Sequence, residues 1–317
     1  MTLVAPLNWG LGHATRCVPI INRCLENGEQ VLLAADGNAL EFLKNEFPQL
    51  TTIKLKGYNI RYAGERLLPF VIMLQLPLFV FSIVIEHFRL KKIVKLYSIN
   101  KIISDNRYGL WCKKVNSIIV THQLYIQLPK WLKWLSKPLH SITAFMLLKF
   151  NDIWVPDFAN FDTSLSGKLA HGGKLDDKVV YIGPLSRFKK HSVPMCSKSA
   201  DILLLLSGLG KQKTKLANSV KNSIKNSKQK LLILGAEPKQ KYEITSNNIL
   251  EINHLSSAEL NSLLLSVPQI ISRSGYSTIM DLYCLGRTAK LIPTKGQWEQ
   301  EYLQQWLEKR GGIISYD

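Results

Sequence analysis

Acidic residues are scarce in this chain. Against 41 Lys and Arg stand 23 Asp and Glu, an excess of 41 − 23 = 18 positive charges. Residues 1–183 carry 22 − 13 = +9 of it and residues 184–317 carry 19 − 10 = +9. The imbalance is sharpest over residues 87–149, with twelve Lys or Arg and a single acid, Asp105. A field of that sign draws phosphates, nucleic acid or anionic lipid, and charge alone does not choose among them. Cysteine is also sparse. Cys17, Cys24, Cys112, Cys196 and Cys284 form no close pair, which argues against a metal knuckle or a redox motif. Their odd number fits free thiols in a reducing, cytoplasmic compartment. No basic segment precedes the first apolar run, Met1 to Pro6, which reads as a core strand and not as a signal peptide. Solenoid repeats and low-complexity tracts are missing, and at 46% hydrophobic content the chain is not disordered.

At 317 residues the chain exceeds the roughly 250–300 residues at which single cores stop growing. Two domains are expected, 1–183 and 184–317. In each, apolar strand-like runs alternate with helical patterns: strands at 2–6, 30–35, 51–55, 101–104, 117–121, 152–155 and 178–182, then at 201–206, 231–234, 249–252, 268–272, 289–292 and 313–315. Helices are expected at 14–27, 39–47, 66–97, 212–227, 257–265, 276–285 and 297–309. Such alternation predicts an α/β fold with parallel sheets covered by helices on both faces. Gly183-Pro184-Leu185-Ser186-Arg187 and the polar stretch to Ser199 read as the linker.

Leu67 to Ile85 is almost entirely apolar, broken by Pro69, Gln75 and Pro77 and followed by Arg89-Leu90-Lys91-Lys92. The run is long enough to suggest a membrane-spanning helix, but its breaks and the strand at 101–104 favour a helix of the soluble core. A monotopic patch that dips into lipid beside basic residues is the expected use. Leu128 to Leu135 alternates Trp and Leu with Lys, which suits either an interfacial helix or a solvated helix with a buried Trp face.

Three loops at strand ends carry the chemistry. Gly10-Leu11-Gly12-His13 follows the first strand and opens a helix, where glycine permits close approach and the helix start favours anions. Thr15, not glycine, holds the last position of the dinucleotide fingerprint and Arg16 follows it, so no NAD site is expected. His13 is either a general base or a plain helix-start histidine. Arg273-Ser274-Gly275-Tyr276-Ser277-Thr278 opens another helix whose amides and hydroxyls suit a diphosphate, with Asp281 two turns on. Pro293 to Glu301 is polar at a third helix start. The carboxyl edge of open α/β sheets is where ligands bind, and a cleft between two such domains is the expected site.

On these residues the chain resembles glycosyltransferase family 28 of the GT-B fold, the group that includes the lipid II-forming N-acetylglucosaminyltransferase and plant galactolipid synthases. Arg273-Ser274-Gly275, Asp281, Gly286, Pro293 and Gln300-Glu301 parallel the family's nucleotide-sugar signature. The resemblance implies two Rossmann-like α/β/α domains. It places the donor diphosphate on Ser274, Gly275, Ser277 and Thr278, the ribose on Asp281, and the sugar hydroxyls on Gln297, Gln300 and Glu301. The base lies against the backbone of His254-Leu255, and Gly12, Ser207 and Gly208 join the donor contacts. His13 falls on the family's functional histidine, and Asp105 is the acid expected to orient it, with a salt bridge from Asp105 to a neighbouring Arg as the competing reading. Ser104 to Arg107 and Thr121-His122-Gln123 are expected to touch the acceptor.

The implied reaction is an inverting, metal-independent transfer from a nucleotide diphosphate-sugar, UDP by resemblance, to a hydroxyl of a lipid-linked or glycan acceptor, with Arg273 helping to stabilise the departing diphosphate. The only adjacent acids, Asp176-Asp177, lie beside the linker strand. No cofactor beyond this co-substrate is implied. A cytoplasmic protein, peripheral on the inner face of the membrane and binding no nucleic acid, is expected. A sugar-nucleotide 2-epimerase of the same fold and a non-catalytic binding protein are the alternatives.

Overall fold

The computed structural model describes residues 1–58, 68–171, 175, 177–190, 198–207, 210–235 and 243–310. The chain divides into two compact units, Met1–Pro184 and Leu185–Asp317.

In the first unit, β1 (Thr2–Pro6), β2 (Val31–Ala35), β3 (Thr51–Lys54), β4 (Lys101–Asp105), β5 (Asn116–Val120), β6 (Asp152–Val155) and β7 (Val179–Tyr181) form one parallel sheet in the order β3-β2-β1-β4-β5-β6-β7. β1 and β2 are buried along their whole length, as expected of strands covered on both faces. The connections leave β1 toward β2 on one side, while β4 lies on the other. The two strands are in register, with Pro6 opposite Asp105. Their carboxyl ends therefore flank the point where the winding reverses, the place where open sheets of this kind take ligands.

Helix α1 (Gly12–Glu26) packs Ala14, Cys17, Val18 and Ile21 inward at helical spacing. It stops at Gly28, whose φ of +74° supplies the left-handed turn. Helix α2 (Gly37–Glu46) follows β2. Helix α3 (Leu68–Leu96) realises the long apolar run as one helix. Its Leu90, Ile93 and Val94 pack on the core with Leu3, Ile102 and Leu110. The opposite side leaves Leu78, Phe81, Val84 and Phe88 exposed, Phe81 at 63%. Among the described residues no helix is long and apolar enough to cross a membrane. Lys130–Leu135 is a 3-10 turn leading into α4 (Ser136–Leu147). Trp131 and Trp134 stand 60% and 74% exposed, so the reading with a buried Trp face is overturned; Leu132 fills the interior there instead.

The second unit is built on β8 (Ile202–Leu205), β9 (Leu231–Leu234), β10 (Glu243–Ser246), β11 (Ile249–Ile252), β12 (Gln269–Ser272) and β13 (Lys290–Leu291) in the order β10-β11-β9-β8-β12-β13. All pairs are parallel except β10 with β11. The antiparallel edge strand β10 has no counterpart among the expected strands, because all four of its residues are exposed and carry no buried alternation. Helices α5 (Gly210–Ile224), α6 (Ser257–Ser266), α7 (Tyr276–Leu285) and α8 (Trp298–Glu308) complete it. The winding reverses between β8 and β12. The expected strand at 313–315 lies outside the described residues.

The expected linker needs correction over 185–190. Ser186 donates to Asp281, Arg187 donates to Ser257 (3.0 Å), and Lys189 exchanges hydrogen bonds with Asn261. Phe188 is buried. This segment is a strap docked on α6 and α7, and residues 191–197 lie outside the described residues.

Candidate functional site

The turn after β1 carries Gly10 at φ +76° and starts α1 with no side-chain cap and no acid in its first turn. His13 therefore sits in the first turn of an uncapped helix, 12% exposed. Its Nδ1 lies 2.6 Å from Oδ1 of Asp105 at the end of β4. Register puts these two strand ends side by side, although the residues are 92 apart in sequence.

Asp105 is completely buried. Arg16, one turn beyond His13, grips the same carboxylate with both arms: Nε to Oδ2 and Nη2 to Oδ1, each 2.5 Å. The two readings of Asp105 thus coexist, a histidine contact and an arginine salt bridge on one carboxylate. Burial alone would raise Asp105, but the Arg16 guanidinium and the His13 ring overcome it and bring the carboxyl down to about 2. Cys17 Sγ also points at Oδ2, 3.7 Å away, and its thiol is pushed far up by burial and by the neighbouring carboxylate. Arg16 Nη1 reaches Nδ1 of His122 at 3.3 Å.

A carboxylate only accepts hydrogen bonds. His13 must therefore donate Nδ1–H to Asp105, which leaves the Nε2 lone pair as its basic atom. This is the arrangement a general base needs.

The neighbouring acceptor-contact expectations divide. Arg107 is fully buried; it bonds Glu86 of α3 through Nε at 2.7 Å and the carbonyls of Leu55 (2.9 Å) and Ala34 (3.4 Å). It is a rivet between α3 and the sheet and has no acceptor role. Thr121 and His122 are buried as well. Asn106 is non-glycine at φ +54°, an uncommon conformation that marks the strand end next to the dyad.

In the second unit the turn after β12 starts α7 at Gly275, again with no side-chain cap. Apart from its chain neighbours, no described atom lies within 4 Å of where a Cβ on Gly275 would stand. A glycine ahead of a helix start is an arrangement that suits an anion. Ser277 and Thr278 in that first turn are half-buried.

Several expected ligand contacts are instead turned inward. Arg273 is buried and donates to the carbonyls of Ile292 (3.3 Å), Pro293 (3.0 Å) and Gln212 (2.9 Å). It staples three loops together through these carbonyls. Ser274 Oγ donates to the Gln300 carbonyl at 2.8 Å. Gln300 Oε1 accepts from Thr294 N–H (2.8 Å) and Glu301 Oε1 from Gly296 N–H (2.9 Å), so both side chains close the turn at 293–297 on the first turn of α8. Gln297 is the N-cap of α8 and makes no capping bond with its side chain. Asp281 accepts from Ser186 at 2.6 Å, which competes with the expected ribose contact, and burial pushes its carboxyl up to about 6. Ser207, at the end of β8, and His254 after β11 are half-buried, and Leu255 is buried. Gly208 lies outside the described residues. Among the described residues no group of three or more His, Cys, Asp or Glu is placed to hold a metal.

Arg16 is the member of this cluster that sequence reasoning did not single out, while His122, expected as an acceptor contact, lies buried against Arg16. The one available signal was spacing: Arg16 lies three residues after His13, on the same helix face.

No protein-family model matches the chain, and no curated protein matches it by sequence. Solved structures do. The chain is similar to the glycotransferase of kitacinnamycin, with a TM-score of 0.65 at 11% identity over 100% of this chain and 86% of that one. It is similar to Arabidopsis thaliana UGT89C1 complexed with UDP-L-rhamnose, with a TM-score of 0.59 at 13% identity over 96% and 82%. It is also similar to Acinetobacter baumannii MurG, with a TM-score of 0.53 at 13% identity over 98% and 83%. Two doubly wound parallel sheets, each reversing at a loop that opens an uncapped helix, together with these likenesses, give the chain the GT-B glycosyltransferase fold.

Proposed function

We propose that this chain is an inverting glycosyltransferase that moves a sugar from a nucleotide diphosphate-sugar, UDP-linked, to a hydroxyl acceptor. The observation that carries the proposal is the His13–Asp105 pair at the reversal point of the first sheet. His13 Nε2 takes the proton from the acceptor hydroxyl as its oxygen bonds to the anomeric carbon. The bond from that carbon to the diphosphate oxygen breaks, and the diphosphate leaves with the electron pair. The helix start of α7 receives the growing negative charge through its dipole. Arg273, Ser274, Gln300 and Glu301 hold the turns around that helix start. The UDP assignment is supported by the UDP-L-rhamnose complex of a protein of the same fold.

The acceptor class follows from the surface of the first unit. Phe88 and His87 of α3, Trp111, Lys149 and Phe145 form a continuous strip. His87 stacks on Trp111 at 4.3 Å, and Lys149 lies over both Trp111 (6.0 Å) and Phe145 (4.1 Å). Within 87–149 the one acid, Asp105, is buried, so the charges that this segment shows to water are all positive. Exposed aromatics beside unopposed lysines fit an anionic bilayer, and an acceptor presented at that bilayer is the one we assign.

The test joins binding to turnover. A thermal-shift screen of UDP, GDP and dTDP sugars should single out one nucleotide, because a ligand of the native state raises its stability. His13→Ala should keep that shift and lose roughly 10²- to 10⁴-fold in turnover. A variant that turns over like the parent would remove the base from the mechanism. Epimerisation of donor without acceptor would convert the reading to a 2-epimerase, and activity abolished by EDTA and restored by manganese would overturn the metal-independent route.

A further inference from the structure

The proposed base does not face a simple carboxylate. Asp105 Oδ1 is shared between His13 Nδ1 and Arg16 Nη2, and Oδ2 is held by Arg16 Nε with Cys17 Sγ nearby. Arg16 Nη2 stands 2.9 Å from His13 Nδ1 itself. Both nitrogens are donors in the tautomer derived above, so the two lie side by side and share one acceptor oxygen. The remaining arm, Nη1, meets His122 Nδ1 at 3.3 Å. His122 Nδ1 can only accept there, because a guanidinium has no acceptor. Arg16 and Asp105 are 2% and 0% exposed.

We infer that Arg16 is a positioning residue that holds the Asp105 carboxylate in front of His13 Nδ1, so that the ring is presented to the reaction as its Nδ1–H tautomer with Nε2 as the basic atom. The inference rests on the role proposed for His13. The Arg16 fork, Nε on Oδ2 and Nη2 on Oδ1, fixes the carboxylate plane, so Oδ1 stays in front of His13 Nδ1. In the opposite tautomer Nδ1 could accept from Arg16 Nη2, 2.9 Å away, but its lone pair would then face the lone pairs of Oδ1 at 2.6 Å. Around this cluster stand Asp105 from β4, Arg16 and Cys17 from α1 and His122 beyond β5.

The test is two-bond proton–nitrogen NMR on the full chain labelled with 15N-histidine, with His13→Gln identifying the signals of position 13. The parent should show the Nδ1–H tautomer. Arg16→Met releases the carboxylate plane and should lower the Nδ1–H share of the neutral ring to roughly half, the Nε2–H tautomer making up the rest. Arg16→Lys keeps a charge but not the fork and should fall between the two. An Nε2–H tautomer in the parent overturns the inference whatever the variants do, as does an Arg16→Met ring that keeps the parent's tautomer. The outcome separates from that of the proposed function. If the ring responds to Arg16 while His13→Ala still transfers sugar, the positioning stands and the base falls. If His13→Ala is inactive and the ring ignores Arg16, the base stands and this inference falls.

Discussion

Asp105 is buried at the end of β4 and Asp281 is half-buried within α7, and their surroundings push them in opposite directions. Asp105 is held down to about 2, below the unfolded value near 3.9. Its stabilising contribution is complete above that unfolded value and is lost as pH falls toward 2, a matter of roughly 2 kcal/mol. Asp281 is pushed up to about 6. Its sign is reversed: the folded state prefers the neutral acid, so stability is highest below about pH 4 and declines as pH rises through about 6. Asn at 281 keeps an oxygen for the Ser186 hydroxyl and removes the ionisation. Asp281→Asn should therefore raise the second unit's thermal midpoint at pH 8 by a few degrees, equivalent to about 2 kcal/mol, and flatten its profile between about pH 4 and 6. Differential scanning calorimetry across that range checks it; a variant whose midpoint still falls with pH as the parent's does would place the ionisation elsewhere.

The anchoring of α3 is a property of an element. Glu86 is 2% exposed and faces Arg107 at 0%, and burial raises its carboxyl against the pull of Arg107. Gly109 lies so close that a Cβ would meet the Ile83 carbonyl at 2.5 Å and Glu86 at 2.8 Å. Glu86→Ala strands a guanidinium in the core and should cost about 3–5 kcal/mol, whereas replacing both partners by Leu and Met should recover most of it. Denaturant titration of the single and double variants reads the difference, and equal losses in both would contradict the argument. The sequence shows why some of this was readable and some was not. The strand, glycine loop and helix starts at Gly12 and Gly275 were legible, because apolar runs, glycines and helical spacing are local signals. The grip of Arg16 on Asp105 spans 89 residues and becomes visible only once β1 and β4 are known to be neighbours. Arg273, Gln300 and Glu301 have the right chemistry for a ligand, but composition does not reveal that their side chains turn back onto their own loops. β10 was missed because it has no buried face to leave a pattern.

At the scale of the whole molecule, an excess of 18 positive charges favours approach to any anionic surface, and the exposed Trp131, Trp134, Phe81 and Phe145 are the side chains we propose hold a bilayer after contact. Co-sedimentation with phosphatidylglycerol vesicles should show binding that weakens steeply with salt and is absent with neutral phosphatidylcholine vesicles. Trp131→Ser with Trp134→Ser should lower partitioning roughly tenfold at constant salt, since interfacial affinity scales with buried apolar area. Unchanged partitioning would leave charge as the whole of the attraction. The short turn from Ser104 to Arg107 then takes on a mechanical meaning. Arg107 is clamped to Glu86 of α3, and two residues earlier Asp105 is clamped to Arg16 and His13. Ser104 Oγ, donating to the Arg107 carbonyl at 2.7 Å, ties the turn shut. The turn thus joins the anchor of the outer helix to the imidazole through four residues, so that, in the function we propose, a push on the exposed face of α3 and the set of the ring are two ends of one lever.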